Sequence, residues 1–452
     1  MLTLCSLSVI ISILLIHAAP QSDDRIAPFL HVWMISFLPY FAACAFVLAT
    51  KPLTGKWRRI ELGIIVLGAF ILRVMLLPLP PGLSHDSWRY LWDARVTLHG
   101  FSPYVYAPGS KVVAELQNSI LYTNSRFRNV PTIYPPGAQL VYLVSYLLAP
   151  ANLSFLKGLF VVFDMVTCVA LIVLLGRKGL DQRRVILYAW CPLPIIEFAI
   201  QGHVDVITLT FTILAILATS YHSVRRHMLT GFLTGMATLT KIYPILLLVV
   251  ILPDGEDKYA PIMQRIKCHY VPLLGSCFAT IIIGYLPYLL LGHGQAFGFN
   301  AAYASEQGQN AGVTQQIVHW LGDRLQLPLT KTITLEHLVD VFVIGTASVI
   351  VFAVTLAQSH TCRSRYTRTF RRDSLDLNPS FSLVYNHLLS MGTCVIGPVA
   401  VSQGITWSRS GRCNGMVFTA TVLHGYFFNS LQDVPIDWTP YYRLVYWPVM
   451  VA

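Results

Sequence analysis

Charged residues are scarce in this chain, and their scarcity excludes a water-soluble globular protein. Only 12% of the 452 residues are Asp, Glu, Lys or Arg, whereas 55% are hydrophobic. A soluble chain of this size carries about twice that share of charge, because its surface needs polar groups. No stretch leaves room for a soluble catalytic domain, so we expect any chemistry to lie on loops between apolar segments.

Paired cysteines, internal repeats and low-complexity tracts are also lacking. Nine cysteines occur, but their spacing is not that of a metal site. Five of them lie in or beside apolar segments, which is typical of small buried residues: Cys5, Cys44, Cys168, Cys191 and Cys277. The cysteines therefore point to neither a metal centre nor a disulfide framework.

Apolar stretches recur along the whole chain, and crossing a bilayer takes about 20 residues. They predict an all-α fold, a polytopic transmembrane helical bundle of about nine to thirteen spans. The stronger stretches are 2–18, 29–50, 60–79, 153–175, 204–221, 229–252, 270–291, 338–357 and 383–401, and the weaker ones are 137–150, 185–200, 416–428 and the last residues. Residues 1–19 also fit a cleaved signal peptide, but no basic residue precedes the apolar run, which favours an uncleaved span.

The formal charge of +11 comes from short basic clusters beside spans, which indicates the positive-inside bias and argues against a nucleic-acid partner. Clusters at 51–59 and 363–372 are expected in the cytoplasm, and loops 80–136 and 292–336 on the opposite side. This count treats 137–150 as a span and leaves the basic residues of 177–184 on the wrong side. If residues 137–150 are instead re-entrant, the segments in the middle of the chain have the opposite orientation in the membrane.

The domain layout follows from these segments. Residues 1–357 form the main membrane region, 358–380 a basic cytoplasmic linker, and 381–452 a divergent C-terminal membrane region. Within the apolar segment 229–252, the sequence Lys241-Ile242-Tyr243-Pro244 predicts a kink with a charge at the break.

The segment after the third span carries the most chemistry. As a helix it places Asp86, Arg89, Tyr90 and Asp93 on one face, and Trp88, Leu91, Trp92 and Arg95 on another, which we expect at the membrane interface. A carboxylate beside an arginine suits group transfer from a phosphate-linked donor, since the carboxylate accepts a proton and the cation stabilises phosphate. An interfacial helix with simple Asp–Arg pairs has the same spacing, so both readings stay open.

Several motifs resemble those of GT-C membrane glycosyltransferases, most of all the polyprenol-phosphate-mannose-dependent mannosyltransferases. They occur in the family's order over about residues 60–300, and no match extends beyond about residue 360. The matching motifs are DSWRYLWDARV at 86–96, GFSPYVYAP at 100–108, YPPGAQL at 134–140, YAWCPL at 188–193, GHVD at 202–205 and KIYP at 241–244.

The resemblance implies a lipid-phosphate sugar donor, inversion at the anomeric carbon, and a catalytic aspartate in the first non-cytoplasmic loop. Asp86 holds that position and is our predicted base, with Asp93 as second choice, to orient the acceptor or Arg89. The remaining predicted site residues are Arg89, Arg95 and Lys241 for the donor phosphate, and His85, Tyr90, His203 and Asp205 for the acceptor or pocket. No cofactor is certain. A divalent metal is possible at His85, but the sequence shows no second ligand at a recognisable spacing, so a metal is not indicated.

The sequence therefore predicts a hexosyltransferase, most like a mannosyltransferase, with membrane lipid, a polyprenyl- or dolichyl-phosphate sugar and a glycan or lipid-linked acceptor as partners. It would lie in the endoplasmic reticulum membrane of a eukaryote or the plasma membrane of a bacterium. Two other classes stay open: a transporter or flippase of lipid-linked sugars, and a non-catalytic subunit of a glycosylation complex. The strongest charged cluster lies on an external loop and no internal repeat is evident, which favours the enzyme over the transporter.

Overall fold

The computed structural model describes residues 1–19, 26–221, 225–251 and 266–298, all of which lie within the unit Met1–Ser305. Every regular element in these ranges is helical, which confirms the all-α prediction. The α-helices are α1 (Leu2–His17), α2 (Ile26–Ala49), α3 (Gly55–Leu76), α4 (Asp86–Leu98), α5 (Ile120–Asn124), α6 (Pro136–Leu148), α7 (Leu153–Arg177), α8 (Ile186–Ala189), α9 (Pro192–Ile195), α10 (Asp205–Thr219), α11 (Arg226–Thr238), α12 (Leu247–Ile251) and α13 (Val271–Leu291). Short 3₁₀ turns cover Lys111–Leu116, Gln182–Val185 and Tyr243–Leu246, and π-helical turns cover Ile196–Gln201 and Ile266–Tyr270.

Three helices in the described ranges are long and apolar enough to cross a membrane: Pro28–Ala49, Leu153–Arg177 and Cys268–Leu291. A broken pair, Gln182–Ala189 followed by Pro192–Gln201 with a bend of 57°, passes the same test of length and composition when its two halves are taken together. Pro192 begins α9 at that break and cannot donate a backbone hydrogen bond, which is why the helix changes direction there. The chain is a polytopic helical membrane protein. The predicted spans 338–357, 383–401 and 416–428, the linker 358–380 and the C-terminal region 381–452 lie outside the described residues.

The two ends of the bundle can be told apart by the contacts between helices. At one end, which we call the basic face, Arg58 donates to Gln182, and Arg183 pairs with Glu61 over 3.1 Å. At the other end, the site face, Lys157 near the start of α7 donates to the carbonyl of Leu79 just after α3. Helices α3 and α7 therefore run in opposite directions between the same two faces.

Helix α6 does not cross the membrane, so counting 137–150 as a span was wrong. It has only 13 residues, and the chain both leaves α3 and enters α7 at the site face. Its first turn also lies at that face, where Gly137 N donates to the carbonyl of Leu239 at 2.7 Å. Without this crossing, the basic residues of 177–184 lie on the same face as those of 51–59, as the positive-inside rule requires.

The interior of the bundle holds a charged network. Arg73 of α3 pairs with Asp164 of α7, with neither side chain exposed, and also donates to the carbonyl of Ala189 at 2.7 Å. The hydroxyl of Tyr188 donates to the same Asp164 carboxylate. Because a charge in an apolar interior is costly unless it is paired, this network ties α3, α7 and the broken helix together.

Helices α11 and α13 pack closely because α11 presents glycines to its neighbour. A Cβ at Gly235 would lie 2.8 Å from the carbonyl oxygen of Cys277, and one at Gly231 would collide with the carbonyl of Leu273. Small residues allow such close backbone approach between membrane helices. After α11 the chain breaks at Lys241 and resumes as a 3₁₀ turn containing Pro244, so the predicted kink is confirmed.

Candidate functional site

The first element of the site is the start of α4. Asp86 is its first residue, and the backbone N–H of Asp86 donates to the Ser84 hydroxyl at 3.2 Å. The His85 ring lies just outside the helix, where Nδ1 donates to the carbonyl of Asn124 at 3.1 Å. Asp86 is half-buried, and a carboxylate at a helix N-terminus is stabilised by the helix dipole. The predicted helix is therefore present, and it begins at the predicted base.

The aromatic face of α4 is buried in protein, so its prediction as a membrane-facing surface was wrong. Leu91 and Trp92 have 0% and 1% of their surface exposed, and Trp92 contacts the ring of Tyr122 in α5. The loop between α3 and α6 packs with α4 into a core that α6, α7 and α10 share, which an isolated helix pattern does not reveal.

Arg89 and Asp93 pair with each other inside this loop. Arg89 Nε donates to Asp93 at 2.8 Å, and its two terminal nitrogens donate to the carbonyls of Phe127 and Val130. The second oxygen of Asp93 accepts a hydrogen bond from Gln139 of α6 at 3.1 Å. Because the side chains of Arg89 and Asp93 both bind to groups within the protein, the geometry favours the structural Asp–Arg pair that was one of the two readings of the sequence.

The second element is the turn that carries His203. It follows the π-helical turn Ile196–Gln201, and Gly202 adopts a left-handed conformation with φ 68°. A side chain at position 202 would approach Lys157 Cγ to 2.9 Å and Ser87 Cβ to 3.2 Å, so the turn packs directly on the start of α4. Gln201 continues the contact by accepting from the backbone N–H of Leu83 at 3.0 Å.

His203 is held by a carboxylate that the sequence did not single out. Its Nδ1 lies 2.6 Å from Glu197 Oε2, and its backbone N–H donates to the Glu197 carbonyl at 3.0 Å. Burial alone would lower the pKa of His203, but the charge of Glu197, helped by Asp86 and Asp205, outweighs it and raises the pKa to about 9. His203 is therefore a cation at neutral pH.

The third element joins α10 to the break after α11. Asp205 is the first residue of α10, and its carboxylate lies 2.6 Å from Lys241 Nζ. About a third of the Lys241 side chain and a quarter of the Asp205 side chain are exposed, at 34% and 27%. The structure therefore brings Lys241, a predicted site residue, to the carboxylate of Asp205.

Three tyrosines form the wall beside these charges. The rings of Tyr90 and Tyr142 stack at a centroid distance of 4.4 Å, and Tyr134 meets Tyr90 edge-on at 4.8 Å. Burial, followed by the nearby charge of Asp86, holds the pKa of Tyr134 well above its usual range. Its hydroxyl therefore stays protonated and able to donate a hydrogen bond.

Arg95 lies apart from the cluster around Asp86. It is nine residues further along α4, about 13 Å along the helix axis. Among the described residues, no three His, Cys, Asp or Glu side chains come together as a metal site would require.

An apolar groove of about 840 Å³ begins at the site face, where Gly137 and Thr97 line it, and runs along α6, α11 and α13. Leu239 lines its end near the site, two residues before Lys241, and Leu140 and Ile283 line its walls. Its far part reaches Met228 and Ser276, which meet near the basic face. The groove therefore extends from the site face along most of the length of the bundle.

The sequence identified most of the cluster but missed its supports. Asp86, Tyr90, His203, Asp205 and Lys241 lie together as predicted, whereas Arg89, Asp93 and Arg95 do not face the same space. Glu197 was missed because it lies inside an apolar stretch, where a lone carboxylate is itself a signal of function. Gln139 lies in the YPPGAQL motif but was not predicted as a site residue, because its contact with Asp93 depends on the fold.

Two family models match long parts of the chain. Residues 132–375 match Glycosyltransferase family 87, and residues 3–253 match Alpha-(1->6)-mannopyranosyltransferase, N-terminal domain. Each match covers more than half of the chain. No curated protein matches the chain. No solved structure matches it either.

Proposed function

Because the chain belongs to the GT-C-type membrane mannosyltransferases, within Glycosyltransferase family 87, we propose that it uses a polyprenyl- or dolichyl-phosphate donor. In this proposal one mannose passes to a hydroxyl group of a glycan or lipid-linked acceptor, with inversion at the anomeric carbon. The reaction takes place on the non-cytoplasmic side of the membrane, with Asp86 as the base.

One observation carries the proposal: a long apolar groove opens at the site face, where the cluster of carboxylates and cations also lies. Lys241 is two residues from Leu239, which lines the groove, and pairs with Asp205 near Asp86. An isoprenoid phosphate likewise combines an apolar part, its tail, with a charged part, its phosphate. Burial of the tail along α6, α11 and α13 would hold the phosphate at the cluster.

The proposed transfer is a single displacement. Asp86 accepts the proton of the acceptor hydroxyl while the acceptor oxygen bonds to the anomeric carbon. The bond from that carbon to the phosphate oxygen breaks, and its electron pair leaves with the lipid phosphate. In this proposal Lys241, which pairs with Asp205, supplies the cation that stabilises the charge developing on the phosphate.

The other predicted residues support this arrangement from a distance. Arg89 and Asp93 fix the loop that presents Asp86, through their mutual pair and the carbonyls of Phe127 and Val130. The hydroxyl of Tyr134 is a protonated donor beside the carboxylates and suits a sugar hydroxyl.

The donor is tested with membranes that contain the full chain, endogenous acceptors, and radiolabelled mannose supplied as polyprenyl-phosphate mannose or as a nucleotide-linked sugar. We expect labelled product from the lipid donor alone. Ala279→Trp, which narrows the groove, should raise KM for the lipid donor by roughly tenfold with kcat little changed, because it removes binding common to ground and transition states.

The matched control is Phe278→Trp on the same turn of α13, since Phe278 does not line the groove. It should leave KM unchanged. Product from the nucleotide sugar in the absence of lipid donor would contradict the proposed donor. No product from either donor, alongside an active control enzyme, would favour a transporter or a non-catalytic subunit.

A further inference from the structure

The pair formed by Glu197 and His203 has no place in the displacement described above, yet it faces the same space. Glu197 lies in a π-helical turn, the backbone reverses at the left-handed Gly202, and His203 returns toward Glu197. Two contacts close this loop: the ion pair of 2.6 Å and the hydrogen bond from His203 N to the Glu197 carbonyl. π-Helical turns are rare and occur frequently at functional sites.

The surroundings fix where the imidazole lies. Gly202 packs on Ser87, the residue after Asp86, and on Lys157 of α7. Lys157 directs its ammonium group to the carbonyls of Leu79 and Ile200. The imidazole therefore lies near the carboxylates of Glu197, Asp86 and Asp205, and Lys241 pairs with Asp205.

We propose that Glu197 and His203 form a fixed cation site, in which Glu197 is the positioning residue and His203 binds the phosphate of the lipid donor. The inference rests on the proposed function and deepens it, since it gives His203 the phosphate where the sequence suggested the acceptor or pocket. Lys241 is already shared with Asp205, so His203 supplies the second positive charge that the leaving phosphate needs.

The charge on His203 sets a pH limit. Its folded-state pKa of about 9 lies above the usual 6.5, so the imidazolium persists through neutral pH and is lost as the pH rises through about 9. Donor binding that depends on this cation is therefore lost on the alkaline side. Without the charge of Glu197, the loss should occur at lower pH.

The test compares wild type, Glu197→Gln, Glu197→Asp and His203→Gln across pH 6.5 to about 9.5. Two quantities are measured: mannose transfer from radiolabelled polyprenyl-phosphate mannose in membranes, and the rise in melting temperature that polyprenyl phosphate gives the purified chain. Glu197→Gln keeps a hydrogen-bond acceptor beside His203 but removes the charge. Glu115→Gln, an exposed carboxylate on the loop before α5, is the matched control.

We expect Glu197→Gln to stay within about twofold of wild type at pH 6.5 and to fall roughly tenfold or more at pH 8.5, in both measurements. Glu197→Asp should restore part of the alkaline activity, and His203→Gln should be weak at every pH. If Glu197→Gln shows the same pH profile as wild type, or loses activity equally at every pH, the cation site is overturned. Mannose transfer by wild type in the same experiment would still uphold the proposed function. Wild type that neither transfers mannose nor binds polyprenyl phosphate would overturn both.

Discussion

Asp86 and Asp93 are seven residues apart on the same face of α4, but their surroundings differ and favour different roles. Asp86 is half-buried beside the charged cluster, whereas Asp93 is 1% exposed and has both oxygens engaged by Arg89 and Gln139. Spacing along a helix shows only that the two share a face. It does not show which of them meets solvent and which meets another helix.

Removing the Asp93 carboxylate should damage the fold more than the chemistry. Asp93→Ala leaves Arg89 charged and buried, which costs about 3–5 kcal/mol of stability. The melting temperature of the detergent-purified chain should fall clearly, and activity should fall with the folded fraction. Asp86→Ala serves as the comparison, since it breaks no buried pair and should change the melting temperature little. An unchanged melting temperature for Asp93→Ala would refute the structural role.

Glu197 was not predicted from the sequence as the partner of His203. Its neighbours in sequence are apolar, and its partner His203 is six residues away across a π-helical turn and a left-handed glycine. Helical spacing of three or four residues does not join them. The GHVD motif was recognised, but the carboxylate that holds it depends on a backbone conformation that a regular helix pattern does not contain.

At the scale of the elements, the length of α6 decided the topology. Its thirteen residues span about 20 Å as a helix, short of a hydrocarbon core of about 30 Å. Composition alone suggested a weak span, and only the contact between Lys157 and Leu79 shows that the chain stays at the site face. By contrast, the kink at Lys241 was predictable, because Pro244 removes a backbone donor.

The close contact of α11 with α13 should depend on its glycines. Gly231→Ala and Gly235→Ala place a methyl group against the backbone of α13 and should destabilise the chain by about 1–3 kcal/mol. Because both helices line the groove, KM for the lipid donor should rise as well. Thermal unfolding in detergent and donor titration measure the two effects.

Gly275→Ala is the control for these variants. It lies on α13, where an added Cβ meets nothing within 4 Å, and alanine is the better helix former. Its stability should equal or exceed that of wild type. Equal stability of Gly235→Ala and Gly275→Ala would show that close packing of these helices is not required.

At the scale of the whole molecule, the two faces of the described part of the chain carry different charged clusters. The basic clusters of 51–59 and 177–184 lie together at one face, and Asp86, Asp205, Glu197 and His203 lie at the other. The ring of Tyr104 packs on Tyr288 near the end of α13, so residues 292–298 begin beside the first loop. By the positive-inside rule, this arrangement supports the proposal that the site faces away from the cytoplasm.

The sequence predicted the helical class, the family and most of the charged cluster, because apolar length and motif order are local properties. It did not predict which of the charged residues pair inside the first loop, since those contacts join α4, α6 and residues 127–130. The groove was not predictable either, because its walls come from three helices that are distant in sequence.

The most direct measurement is mannose transfer from radiolabelled polyprenyl-phosphate mannose by wild type and by Asp86→Asn, expressed to equal amounts in membranes and with equal melting temperatures. A general base contributes about 10²–10⁴ to the rate, so labelled product should fall at least about 100-fold in the variant. Equal product from the two chains would contradict the assignment of Asp86 as the base and, with it, the account of this site.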